Sequence, residues 1–402
     1  MKARDLLVVE TTTGIAGPLL SRPLADLGAR VIKVESNARL DTNRRRVPPP
    51  GMTVEQLKDV LNVHEMNSGK MSVALNLKTD GGREGFLALI SQADVYVENF
   101  APGWLARVGL SHAMLQELNP RLIILSESAY GEEGPLSNRR AYAPIMTALA
   151  GVESVVGYQD GRVVPQMAGA VGDIVAAYYG LVAVLAALHE RERTGRGALI
   201  DISQIEASAS IAGVAFAEFG LTDVVPGPQG NTDPRYSPHG IYRTAGEDGW
   251  VALAAWSDDD WHKLCRVLNL SEHDESRFSE ESIRLKQRAE VDVVVEAALR
   301  ERPRDGVFRQ LQEAGVACVP VLDCYEAEAL PEFVERELWT RVRHPSSGDL
   351  HITRVPWRFD SIDLGPRKTF EALGGSTDRV LREFGGFTSE QIEQHRSEGA
   401  LA

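Results

Sequence analysis

Between Met167 and Leu188 the chain reads MAGAVGDIVAAYYGLVAVLAAL, and Asp173 is the only charged residue in it. An ionised carboxylate without a partner is costly to remove from water. An acid in such surroundings is therefore either a helix cap or a working group. Asp is a preferred N-cap, and Gly172-Asp173 stands at the head of a long apolar run. The functional reading is an activated carboxylate nucleophile. The two are compatible, because a helix N-terminus also stabilises negative charge.

A second group is cationic: Lys33, Arg39, the run Arg44–Arg46, Lys70, Arg107 and Arg140. Several of these follow predicted strand ends, where ligands gather in open α/β sheets. Arg and Lys are what a phosphate-bearing ligand requires. The first strand–helix turn, TTTGIAGP, also invites a dinucleotide reading. It supplies only Gly14 and Gly17, with Thr12 where the first glycine of G-x-G-x-x-G would stand. Glu35 could hold a ribose hydroxyl, but the fingerprint of an NAD-dependent oxidoreductase is incomplete. The three cysteines, Cys265, Cys318 and Cys324, have no metal-ligand spacing, and no metal is expected.

These residues must be held by a scaffold. LLVVE and ARVIKVE read as buried strands flanking a helix that starts near Pro18. SVALNL, a helix from Gly82 to Gln92, DVYVENF, a helix over Ser111–Leu118 and RLIILSESAY continue the alternation. Such a pattern predicts an α/β fold with a mainly parallel sheet. After about Leu221 the composition shifts to the loop DVVPGPQGNTDPRYSP. GIYRTAGEDGWVALAAW then predicts a hairpin, followed by helices over Asp258–Leu268 and Arg304–Ala314 and a strand in ACVPVLD.

The chain has 402 residues and a formal net charge of −14, which argues against general attraction to nucleic acid or anionic lipid. The Met167–Leu188 run approaches the ~20 residues of a membrane span. Asp173, three glycines and the adjoining HERER favour a core helix, so no membrane association is expected. MKARDLLVVE lacks the apolar core of a signal peptide, and the cysteines read as reduced thiols, so the expected location is cytoplasmic.

GIAGPLLSRPLADLGARVIKVE, NSGKMSVALNLKTDGGREGF, ADVYVENFAPGWLARVGL, LNPRLIILSESAYGEEGP and GDIVAAYYGLVAVLAALHERERTGRGALIDIS together resemble the family III CoA-transferases, to which the α-methylacyl-CoA racemases are related. SPHGIYRTAGEDGWVALA, AGVACVPVLD and VPWRFD extend the resemblance over nearly the whole chain. The resemblance implies a Rossmann-like large domain with a parallel sheet and a smaller α/β domain. Residues 1–205 would form the N-terminal part of the large domain, 206–225 a linker and 226–325 the small domain. Residues 326–402 would return to the large domain. It also implies an interlocked-ring homodimer, with a heteromer containing a paralogue as the alternative.

The activity implied is transfer of CoA from an acyl-CoA, such as succinyl-CoA, to a small carboxylic acid. CoA is a substrate, and no permanently bound cofactor is implied. Asp173 matches the family nucleophile, which passes through an aspartyl anhydride and an aspartyl-CoA thioester. Lys33, Asn99, Arg107 and Arg140 match CoA-contacting positions, and Ala16 sits in the turn beside the pantetheine. Ser36 stands where one branch has Arg, which shifts that contact to Arg39 or Arg44. Tyr142 stands at the racemase His position, with Ala143 after it. A phenol is a poor base at neutral pH, which favours transferase over racemase. Tyr142 and His239 are pocket candidates. A non-catalytic CoA-binding subunit is the further alternative.

Overall fold

In a computed structural model the chain is described over residues 3–45, 61–162, 164, 170–344, 348–362 and 364–402. It divides into two compact units. The first comprises Met1–Glu153, Pro165–Asp223 and Glu332–Ala402, and the second Ser154–Val164 and Val224–Pro331.

The first unit is built on six parallel strands: β1 (Leu7–Thr11), β2 (Arg30–Glu35), β3 (Met71–Ala74), β4 (Val95–Glu98), β5 (Ile123–Ser128) and β6 (Ala198–Ser203). Their spatial order is β3-β2-β1-β4-β5-β6. The order reverses between β1 and β4, the kind of place where an open α/β sheet opens a crevice for a ligand.

β1, β4 and β5 are buried along their whole length, as apolar runs in a parallel sheet require. One face carries Val9, Ile32, Tyr96 and Ile124, which pack on Phe86 and Leu89 of the helix Asp80–Gln92. Val380, Leu381 and Ile392, far along the chain, complete that layer. The other face carries Val8, Val97 and Leu125 against Leu20, Leu24, Leu181 and Val184. Burying a side chain of this size contributes roughly 1.5–3 kcal/mol.

The helix Val171–Thr194 lies on this second face. Gly180 makes its close approach possible, since a Cβ there would stand 2.4 Å from Leu20 Cδ1. By length and composition this helix could cross a membrane. One stripe of it, Ala177–Leu181–Val184–Leu188, is nevertheless committed to the sheet.

β6 is an edge strand with an alternating burial pattern, and the alternation of apolar runs did not predict it. The 24-residue helix also runs past Leu188, through the charged HERER, to Thr194. The first unit additionally carries the antiparallel pair β10 (Trp339–His344) and β11 (Gly348–Thr353).

The second unit has a three-stranded antiparallel sheet of β7 (His239–Arg243), β8 (Trp250–Ala254) and β9 (Ala317–Pro320). Helices Asp258–Leu268, Arg288–Leu299 and Arg304–Glu313 cover it around Trp261, Leu264, Val295 and Leu311. Segment Ser154–Val164 belongs here, tied in by the Gly230 N–H, which donates to the Gly157 carbonyl at 3.1 Å.

Candidate active site

The C-terminal ends of the parallel strands open on two cavities that share Thr13, Arg39 and Phe100 as walls. One, of about 360 Å³, lies over the ends of β1 and β2, with Glu35, Ser36, Asn76 and Trp104 around it. The other, of about 640 Å³, is lined by Glu127, Arg140, Tyr142, Asp173 and Gln204, among others.

Asp173 sits half-buried in the wall of this larger cavity. The structure corrects the expectation that it is the N-cap. The cap is Ala170, in a left-handed conformation at φ 47°, and Asp173 is the third residue of the helix. The helix starts earlier because Gly172 lets the first turn close on Ser208, whose Oγ would lie 2.8 Å from a Cβ there. The Met167–Gly169 part of the stretch lies outside the described residues.

Burial pushes the Asp173 carboxyl up to about 6, and a hydrogen bond from its own helix backbone opposes the shift. It is therefore an anion at neutral pH, held by backbone dipoles rather than by a cation.

The loop after β1 faces the same space. Asn99 clamps it: its Oδ1 accepts from the Thr13 N–H and its Nδ2 donates to the Thr13 carbonyl, both at 2.8 Å. Asn43 Nδ2 donates to the Gly14 carbonyl at 2.7 Å, and Gly14 holds φ 76°. Glycine suits that left-handed turn. Behind it the helix Ala16–Asp26 starts without a side-chain cap, so its first-turn N–H groups lie behind the cavity wall. A helix start of this kind favours anionic groups.

The expected site residues sort into three groups. Asp173, Asn99, Arg39, Arg140 and Tyr142 come together around the larger cavity. Arg39 stacks on the Phe100 ring at 3.8 Å, which fixes its guanidinium at the junction of the two cavities. Tyr142 is 76% exposed and caps the helix Ala143–Leu149 with its carbonyl. Arg107 is exposed in a short turn beside Val108, which lines the smaller cavity. Ala16 is fully buried, and Gly14 and Ile15 form the wall in its place. His239 lies in the second unit, where it lines a cavity of about 550 Å³ and its Nδ1 is 2.8 Å from the Asn231 carbonyl oxygen.

The third group is Lys33, with Lys70 and Arg44, whose charges are paired within the protein. Lys33 Nζ is fully buried, 3.3 Å from Glu10, 3.0 Å from Asp41 and 2.8 Å from the Thr12 carbonyl. Lys70 Nζ is equally buried, 3.0 Å from Glu10 and 2.8 Å from the Pro18 carbonyl. Burial alone would raise Glu10, but Lys70 and Lys33 outweigh it and hold the carboxyl low. Burial brings Lys70 down to about 8 against the pull of Glu10. These charges satisfy one another inside the sheet and leave no ammonium facing a ligand. Arg44 is spent on Glu35 at 3.0 Å and on the Phe370 ring. Arg46 lies outside the described residues.

Glu127, on β5, was not singled out in the sequence. It is fully buried and lines the cavity with Asp173. Its signal was an acid at an inward position of the apolar strand IILSES. On the other sheet face Glu98, His112 and Glu132 bring ligand-type atoms within 4.8 Å of one another. His112 is committed to Glu98 at 2.7 Å and Glu132 to Ser126 at 2.6 Å, so the cluster joins β4, β5 and their loops.

The sequence model of CoA-transferase family III matches residues 4–376. The chain is 32% identical to an acetyl-CoA:oxalate CoA-transferase of Acetobacter aceti over 83% of its length and 84% of the relative's. It is 28% identical to a succinyl-CoA–D-citramalate CoA-transferase of Chloroflexus aurantiacus, over 96% and 95%. A crystal structure of a CaiB/BaiF family protein from Brucella suis superposes with a TM-score of 0.85 at 30% identity, over 94% of this chain and 98% of that one. The α/β sheet and its crevice are thus those of an enzyme that handles CoA thioesters, and the chain belongs to CoA-transferase family III. It is a CoA-transferase.

Proposed function

We propose that the protein moves CoA between a donor acyl-CoA and a small organic acid through covalent intermediates on Asp173. In the first step the Asp173 carboxylate attacks the thioester carbonyl. The C–S bond breaks, and CoA leaves as thiolate from an aspartyl anhydride. The thiolate then attacks the Asp173 carbonyl, releasing the donor acid and leaving an aspartyl-CoA thioester. An acceptor carboxylate attacks that thioester, and the thiolate returns to the acceptor's carbonyl. The new acyl-CoA leaves, and Asp173 is free again. Splitting one exchange into acyl transfers is the logic of covalent catalysis.

The observation that carries this reading is the state of Asp173: an anion at neutral pH, half-buried, in the wall of a cavity and, among the described residues, without a cation paired to it. The uncapped helix start beside Gly14 and Ile15 supplies backbone donors for oxyanions. Arg39, at the junction of the two cavities, suits the CoA phosphates, with the nucleotide on the Rossmann-like sheet crevice and the thioester toward Asp173. Relatives named for oxalate and D-citramalate support a small polar acid as acceptor. The test is mass spectrometry after incubation with acyl-CoAs in the absence of acceptor. A hydroxylamine-sensitive adduct on Asp173 is expected, and its absence for every acyl-CoA would refute the reading.

The working form proposed is a homodimer. The outward side of the helix Val171–Thr194 leaves Val182 65% exposed, and the helix Gly213–Thr222 exposes Val214 and Leu221 at 83% and 88%. Apolar area on this scale is unusual on a monomer and suits a second copy. Light scattering on the purified chain reads the assembly directly.

A further inference from the structure

Two acids line the larger cavity, and only one has a task in the exchange described above. Glu127 projects from the end of β5, with none of its side chain exposed. Among the described residues neither of its carboxyl oxygens has a hydrogen-bond partner of good geometry. Burial pushes it up to about 8; a hydrogen bond from the Gln204 side chain opposes the shift and the negative charge of Asp173 adds to it. At neutral pH it therefore carries its proton. The charged and titratable groups around the cavity are Arg39, Arg139, Arg140, Tyr142 and Asp173, and of these Asp173 is the one that acts on Glu127.

A carboxylic acid that keeps its proton is a hydrogen-bond donor without charge. That is the group a site of this kind needs. The incoming acid must place its own carboxylate beside Asp173, and two carboxylates repel. A cation would relieve the repulsion but would also pair with Asp173 and blunt it. A neutral donor binds one carboxylate without quenching the other, and a hydrogen bond from O–H to a carboxylate is short and strong. The approach of that carboxylate disfavours ionisation of Glu127 further, so binding reinforces the state it requires.

We propose that Glu127 receives the carboxylate of the free acid during the exchange, donating its O–H to it while Asp173 carries the covalent intermediate. This rests on the reading of Asp173 as nucleophile. Glu127 keeps its proton throughout, and no bond to it is made or broken.

The test uses isotope exchange, which removes the need to know the acceptor. Acetyl-CoA, succinyl-CoA and glutaryl-CoA are each incubated with their own 13C-labelled acid, and label entering the thioester is followed from pH 5 to 10. The wild type is expected to lose kcat/KM for the acid above about pH 8. Glu127→Gln keeps a neutral donor; it should hold activity at pH 7 within about fivefold and lose the alkaline fall. Glu127→Leu should raise the KM for the acid at least tenfold. It should leave the KM for acyl-CoA within twofold and still form the Asp173 adduct. An alkaline fall unchanged in Glu127→Gln, or an acid KM unmoved in Glu127→Leu, overturns the proposal even where the Asp173 adduct forms. Absence of that adduct in the wild type overturns the nucleophile reading and this one together. Thermal melts of both variants, expected to match or exceed the wild type at pH 8, show that the effects do not come from misfolding.

Discussion

Two clusters of buried charge-bearing groups sit in one sheet, and they answer the cost of burial in opposite ways. At β1–β3, Glu10 is met by Lys33 and Lys70, and Asp41 closes on Lys33. Every charge there has an opposite one within 3.3 Å. At β5 and the head of the helix Val171–Thr194, Glu127 and Asp173 have no cationic partner among the described residues, and burial raises both. The first arrangement uses charge to join strands. The second leaves acids poised near neutrality, where a small change of surroundings alters their state.

The comparison breaks most visibly at one acid and one lysine, where the largest effects are expected. Asp173→Ala should lower CoA exchange on the order of 10^6-fold, the scale seen when a nucleophile is removed. Its melting temperature should stay within a few degrees of the wild type, since no partner is orphaned. Lys70→Met should do the reverse. Glu10 keeps Lys33 but loses the nearer of its two lysines, which should cost about 2–4 kcal/mol, below the full cost of an unpaired buried charge, read by urea denaturation, with the activity of the folded fraction intact. Retained stability in Lys70→Met would erase the contrast.

Smaller effects sharpen it. Exchange should fall about tenfold per pH unit below about 6, as Asp173 gains its proton. The finest test is stability. Glu127 holds a proton in the fold up to about 8 but ionises near 4.5 when unfolded. The folded state thus binds more protons between these values. The contribution is full below about 4.5 and is lost as pH rises through about 8. Glu127→Gln should flatten that decline in melting temperature, by a few degrees.

The sequence made the sheet legible where strands are buried on both faces, because LLVVE and RLIIL leave no other home for so many apolar side chains. β6 escaped because an edge strand exposes alternate residues and reads as ordinary surface. Asp173 stood out because nothing around it in the chain is charged. The pairing of Lys33 was hidden for a related reason. Its partners lie at Glu10 and Asp41, and proximity in space across a sheet leaves no trace in spacing along the chain. Glu127 hid in SES, where a polar end to a strand is the usual exit to solvent. Only the folding of the helix start and Gln204 around it turns this end into a cavity wall.

The layer sealed by Val380, Leu381 and Ile392 sets a timetable for the ribosome. Until those residues emerge, one side of the sheet, with Phe86 and Leu89 under it, has no lid, and the helix-bearing middle of the chain must wait half-wrapped. Such waiting chains expose oily surface and invite chaperones. A premature stop before Val380 should therefore yield inclusion bodies rather than a shorter enzyme, although every side chain around Asp173 would already have been made.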